Sequence, residues 1–175
     1  MTGDCASAKI HTQHYMLTPS NIMEHPKHIV VVGCLVENAE GRVLLVRHHK
    51  RGWEIPQGRV EEGESLLDAL HREIHEETGV EVELGQLASV WSKISQPTAI
   101  IFNFLANYKS GDLQASEECP ELGWFSPDDA LASISHPVNH DRLKTLLNFS
   151  GVVVYQAYSS NPYRIHVEDQ LTGDM

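Results

Sequence analysis

One stretch of this chain, Ser65 to Thr78, limits the fold more than any other. Ser65 is a candidate N-cap, the acid Asp68 falls in the first turn, and Gly79 supplies a C-terminal stop, so the stretch reads as a helix. Leu67, Leu70 and Ile74 recur at i, i+3 and i+7 and give it an apolar stripe. Such a stripe must be buried against another element, and the flanking segments read as strands. Ile29 to Val36 is almost wholly apolar and β-branched, the mark of a largely buried strand; Gly33 in its middle marks a bulge or a close backbone approach. Glu37 to Gly41 is a turn, and Val43 to Val46 returns as the second arm of a hairpin.

The rest of the chain extends this pattern. Trp53 to Pro56 is a short extended piece, because Pro56 biases Ile55 away from helix. Val80 to Leu84, Leu87 to Trp91, Ala99 to Ala106 and Trp124-Phe125 are further strands. Ser126-Pro127-Asp128-Asp129 starts a helix with proline at its first position, and Asp141 to Asn148 is another. Val152 to Tyr158 reads as a late edge strand. The expected class is α/β, a mixed sheet with helices on both faces. Residues 1–27 read as a polar, His-rich arm, residues 28–150 as one domain, and residues 151–175 as an edge strand and tail.

Composition excludes several classes. The chain has 175 residues, 41% hydrophobic and 21% charged, which suits one soluble domain with a core. No apolar run approaches the roughly 20 residues that span a bilayer. The opening Met1-Thr2-Gly3-Asp4-Cys5 has no basic start and no apolar region, so no signal peptide is expected. Cys5, Cys34 and Cys119 are odd in number and scattered, which fits neither a disulfide framework nor a zinc site and points to the cytoplasm. A net charge of −11 disfavours nucleic acid as a partner, and no membrane partner is expected. The densest charge run, Glu61 to Glu77, is acidic; an anionic substrate would need a divalent cation there.

The chemistry concentrates between Gly58 and Val80. On a helix, Glu73, Glu76 and Glu77 at i, i+3 and i+4 share an arc of about 100°. Clustered carboxylates repel by a few tenths of a kcal/mol per exposed pair, and a hard cation with oxygen ligands turns that repulsion into binding. A solvated acidic face would account for the glutamates alone. It does not account for Gly58, Glu64, Arg72 and Gly79 at fixed offsets. The helix histidines His71 and His75 lie away from the carboxylates, and the remaining histidines, His48 and His49 among them, read as surface residues.

These residues carry a resemblance. Gly58, five residues, Glu64, seven residues, Arg72-Glu73-Ile74, His75, Glu76-Glu77, Thr78 and Gly79-Val80 are similar to the signature of the Nudix hydrolases, G-x5-E-x7-R-E-U-x-E-E-x-G-U, with every constrained position matched. A chance match in a chain this long has a probability of roughly 10⁻⁷ to 10⁻⁸. The resemblance covers residues 29–148. It implies a Nudix-type α/β/α sandwich that hydrolyses a pyrophosphate bond with Mg²⁺, or with Mn²⁺ in its place. It implies metal ligands at Glu73, Glu76, Glu77 and the backbone carbonyl of Gln57, and makes Arg72 a guanidinium that orients the Glu73 or Glu64 carboxylate.

Outside the box, the family takes one more acid from a facing loop. Glu117 and Glu118 are both candidates. The MutT-type spacing, six residues before the strand tryptophan Trp124, selects Glu118, and the general base is then Glu73 or Glu118. Asn139 resembles the asparagine that reads a purine, although an N-cap role fits it equally well. Arg47 occupies a place where a base contact is expected. Asn139 and the Glu118 spacing lean toward a purine nucleoside triphosphate, an oxidised one included. Pro56-Gln57-Gly58 departs from the usual Pro-Gly-Gly, and with Pro97 it leans toward ADP-ribose, dinucleoside polyphosphates or RNA 5′-pyrophosphates. A non-catalytic nucleotide sensor is the alternative of another class, and a homodimer is compatible with everything above.

Overall fold

The computed structural model describes residues 27–172. Its elements are β1 (Ile29–Glu37), β2 (Val43–His48), β3 (Gly52–Glu54), β4 (Gln57–Arg59), α1 (Leu66–Thr78), β5 (Glu81–Lys93), β6 (Ala99–Ser110), β7 (Glu121–Phe125), α2 (Pro127–Ser133), α3 (Pro137–Leu147), β8 (Val153–Ser160) and β9 (Tyr163–Leu171). The sheet runs β3-β2-β1-β6-β5-β8-β9, with β4 paired to β1 and β7 to β2. The pairs β1–β6 and β5–β8 are parallel and the others antiparallel, so the sheet is mixed. The N-terminal arm lies outside the described residues, apart from Lys27.

Alternation along the strands divides the core in two. Val32, Cys34 and Val36 of β1, Leu44 of β2 and Phe104 of β6 pack against Ala69, Leu70 and Ile74 of α1. Leu35, Val43 and Leu45 point the other way, onto Ala130 of α2 and Leu143 and Leu146 of α3. Successive side chains of a strand face opposite sides, so one strand serves both helix layers. The result is an α/β/α sandwich. Helix α1 is capped as its residues dictate: Ser65 accepts from the Asp68 N–H at 3.2 Å, and Gly79 closes it in the left-handed conformation at φ 75°. Its stripe is Leu66, Leu70 and Ile74; Leu67, expected in the stripe, is 49% exposed.

The structure corrects three further expectations. The two strands expected over residues 80–91 are a single strand, β5. Register shifts between Leu84 and Ser89 interrupt the alternation that marks a continuous strand. Helix α3 begins at Pro137, four residues ahead of Asp141, with His136 as N-cap. The late strand is not an edge: β8 lies between β5 and β9, and β9 closes the sheet. Gly33 answers to a close approach. Pairing of β1 with β6 is continuous through it, and a Cβ there would fall 2.7 Å from Arg142 Nη2.

Candidate active site

Strand β4 is the centre of the site because its two sides meet different helices. The β1–β4 ladder bonds Cys34 N–H to the Pro56 carbonyl and Val60 N–H to the Val30 carbonyl. Gln57 therefore sits at a wide pair opposite Gly33, and both its N–H and its C=O turn away from β1. The N–H reaches Glu77 Oε2 of α1 at 2.9 Å, and the carbonyl is turned to the same side. Gly58 packs directly on Glu73: a Cβ there would fall 1.8 Å from the Glu73 carboxyl carbon. That contact is the physical reason for a glycine at the head of the motif.

On the α1 side Arg72 gathers the carboxylates. It donates to Glu64 through Nε and Nη2, each at 2.8 Å, to Glu73 at 2.9 Å, to Glu76 at 3.2 Å and to the Arg59 carbonyl at 3.0 Å. These bonds hold the Glu64 carboxyl down to about 2. Burial raises Glu73, opposed by Arg72 and assisted by the charges of Glu76 and Glu118. Burial pushes Glu77 up to about 8, against the bond from Gln57. Among the described residues, no three His, Cys, Asp or Glu side chains are already gathered into a metal-holding cluster.

On the other side β4 faces α3 across a polar network. Glu54 is fully buried. Its carboxylate accepts from Arg51 at 2.6 and 2.9 Å, from Gln57 Nε2 at 2.7 Å and from Asn139 Nδ2 at 2.7 Å. The buried Arg142 donates to Gln57 Oε1 and to Asn103 Oδ1, and Asn103 donates to Ser89 at 3.0 Å. Gly33, Asn103 and Ser89 lie side by side across β1, β6 and β5, a polar row roofed by the guanidinium. Glu54 is thus paired with Arg51, whereas Arg142 has no carboxylate partner: amide oxygens satisfy its hydrogen bonds, and burial lowers its pKa.

A cleft of about 350 Å³ opens beside this network, lined by Arg51, Gln57, Gly58, Pro97, Asn139 and Tyr158 among others. Asn139 is the third residue of α3 and does not cap it, so the N-cap alternative is overturned. Pro97 and Gln57, which carried the second substrate reading, both line the cleft. Arg47 does not: it is half exposed and pairs with Glu121. Glu118 accepts from His48 at 3.0 Å, and Glu117 is exposed. His48 itself is buried, contrary to the expectation of a surface residue: it sits between the turn at Lys50 and the Glu118 loop and is hydrogen-bonded to both. His71 and His75 are both exposed, and His75 turns to Glu81.

Glu54, Arg51 and Arg142 enter the site unannounced by the motif. A lone acid between Trp53 and Ile55 was a usable signal for Glu54, and His136-Pro137 was one for the true start of α3. Arg142 carried none.

The comparisons with known proteins agree with this architecture. A family model described as NUDIX domain matches residues 27–147. An RNA pyrophosphohydrolase of Caulobacter vibrioides is 40% identical over 86 residues, 46% of this chain and 50% of the relative. An 8-oxo-dGDP phosphatase of Danio rerio is 33% identical over 116 residues, 62% of this chain and 35% of the relative. The chain thus spans half or less of these two relatives. The structure of a MutT protein from Bacillus halodurans superimposes with a TM-score of 0.66 at 25% identity, covering 82% of this chain and 97% of that one. The chain belongs to the NUDIX family.

Proposed function

We propose that the chain hydrolyses a pyrophosphate bond in a nucleoside diphosphate derivative, with purine nucleoside triphosphates, oxidised ones included, as the preferred class. The observation that carries this reading is the junction at Gln57. Its backbone reaches the box carboxylate Glu77, while its side chain joins the Glu54–Asn139 network beside the cleft. One strand residue thereby ties a site for the diphosphate to a site for the base.

The donor set fits a hard divalent cation: carboxylate oxygens of Glu73, Glu76 and Glu77 and the carbonyl of Gln57, with neither thiolate nor imidazole among them. Mg²⁺ held there, or Mn²⁺, supplies charge neutralisation at the phosphate oxygens and acidifies a bound water. The protein's own groups do the rest. Glu118 takes the water proton as the oxygen bonds to phosphorus and the bridging P–O bond breaks. Glu73 is the alternative acceptor. Arg72 offsets the negative field of the box and fixes the Glu64 and Glu73 carboxylates. Glu54 holds the Asn139 amide by its nitrogen, so Asn139 offers its carbonyl oxygen to N–H donors on a base edge.

A nucleotide sensor on the same scaffold needs no intact box, whereas this chain keeps every carboxylate. Placement of Pro97 and Gln57 on the cleft supports a second substrate reading, ADP-ribose or dinucleoside polyphosphates. The free, buried Cys34 and Cys119 support a cytoplasmic location; no helix among the described residues is long and apolar enough to cross a membrane. The deciding experiment is turnover with Mg²⁺ of dGTP, 8-oxo-dGTP, dCTP, ADP-ribose, diadenosine tetraphosphate and 5′-triphosphorylated RNA. Purine triphosphates should give a nucleoside monophosphate and pyrophosphate fastest. Faster cleavage of ADP-ribose or the dinucleotide would move the reading to the second class, and no turnover of any would defeat it.

A further inference from the structure

His48, the last residue of β2, and His49, the first of the following turn, stack with ring centroids 4.4 Å apart and planes inclined by 22°. Both reach the same residue, Glu118, 70 and 69 positions later in the chain. His48 Nδ1 accepts the Lys50 N–H at 3.1 Å, which places the ring proton on Nε2. That Nε2–H donates to Glu118 Oε1 at 3.0 Å. His49 Nδ1 lies 3.3 Å from the Glu118 carbonyl oxygen, which can only accept, so this second ring donates as well. The neighbouring Cys119 is buried and donates its thiol to Glu77 Oε1 at 3.6 Å. The loop is therefore pinned on one flank to β2 and on the other to α1.

We propose that His48 and His49 are positioning residues that hold Glu118 toward the box carboxylates. Resting on the reading of Glu118 as the proton acceptor, this makes the histidine pair part of what prepares the site for its reaction. The Glu118 side chain is 63% exposed, so without a fixed partner it would sample many rotamers in solvent. The buried His48, at 4% exposure, supplies a rigid donor of one tautomer. Its Nδ1 is committed to the backbone of the following turn, so the imidazole cannot rotate away without losing that bond. A displacement of about 1 Å at a reacting group costs up to about 100-fold in rate, so such an anchor bears on kcat rather than on substrate affinity.

The test uses the full chain and the nucleotide of the panel above that turns over fastest. His48→Phe keeps the ring and removes the donor; kcat should fall about 10-fold with KM nearly unchanged. His48→Gln can place an amide N–H near the same point and should recover most of the loss. In the Glu118→Gln background, His48→Phe should add no further loss. Equal losses in both backgrounds, or no recovery with glutamine, would overturn the positioning role while leaving Glu118 as the acceptor. Wild-type activity of Glu118→Gln would instead defeat the reading of Glu118, and the inference with it. Imidazole ¹⁵N spectra give a readout independent of the folding of any His48 variant. The His48 Nε2–H signal should shift in Glu118→Gln; no shift would show that the bond is not formed in solution and overturn the proposal.

Discussion

The two flanks of β4 are built on opposite electrostatic plans. On the α1 flank, carboxylates are crowded around one guanidinium, and one of them, Glu76, is open to solvent. On the α3 flank, one carboxylate is fully buried and satisfied by three different residues. The first arrangement has negative charge in excess and suits a cation. The second closes on itself and holds a shape. Crowded like charges give binding capacity, whereas a closed buried network gives rigidity, and a site for a base tethered to a diphosphate needs both.

The same contrast governs what can be read from the chain. Glu73, Glu76, Glu77 and Arg72 are legible because they lie on one helix, where spacing alone sets their relative directions. Gly79 is legible because it ends the helix in the left-handed conformation; Gly58 is legible only from its place in the motif, since the contact that requires a glycine there is with Glu73 on another element. The α3 flank joins Glu54 to Asn139, 85 positions apart, and Arg142 to Asn103, 39 apart; no local period records such contacts. In the fold, the strands with clean apolar runs, β1 and β6, follow directly from the residues. Strand β5 does not, because register shifts break its alternation, and β9 does not, because its outer residues are nearly all exposed.

If the α3 flank is a closed network, opening it should cost the most stability. Glu54→Ala leaves Arg51 and Asn139 without their carboxylate and should lower unfolding free energy by about 3 kcal/mol or more in urea titrations. Glu76→Gln on the other flank should stay within about 0.5 kcal/mol of wild type. Similar losses for the two would erase the distinction between the flanks.

Asn139→Ala probes the point where the network meets the cleft. It should cost roughly 1–3 kcal/mol in kcat/KM for purine nucleotides, with a small effect on pyrimidine ones. An equal loss for both, with a lowered melting temperature, would make Asn139 a purely structural member of the network.

The crowded flank should reveal itself through pH. Burial raises Glu77 from its ordinary 4.5 to about 8, so the metal-free folded chain keeps a proton that the unfolded chain releases. Stability of the metal-free protein should therefore fall as pH rises from 4.5 to about 8, by at most about 1.4 kcal/mol per unit from this group. Glu73, also raised by burial, acts in the same direction, and Glu64 contributes only below 4.5. Denaturation at stepped pH in EDTA checks this; a flat or rising profile would contradict it.

The smallest effect is expected at Arg47, which pairs with Glu121 at the surface away from the cleft. Arg47→Ala should change kcat/KM less than about threefold, since exposed ion pairs contribute about 0–1 kcal/mol. A purine-selective loss would restore Arg47 to the base site.

The central claim is that the α1 carboxylates hold the cation on which hydrolysis depends. Glu77→Gln keeps the volume of the side chain and removes its charge, and its most direct test is turnover measured across a Mg²⁺ titration. Apparent Mg²⁺ affinity and maximal turnover should both fall, turnover by at least about 100-fold. Turnover and Mg²⁺ dependence close to wild type would contradict the account.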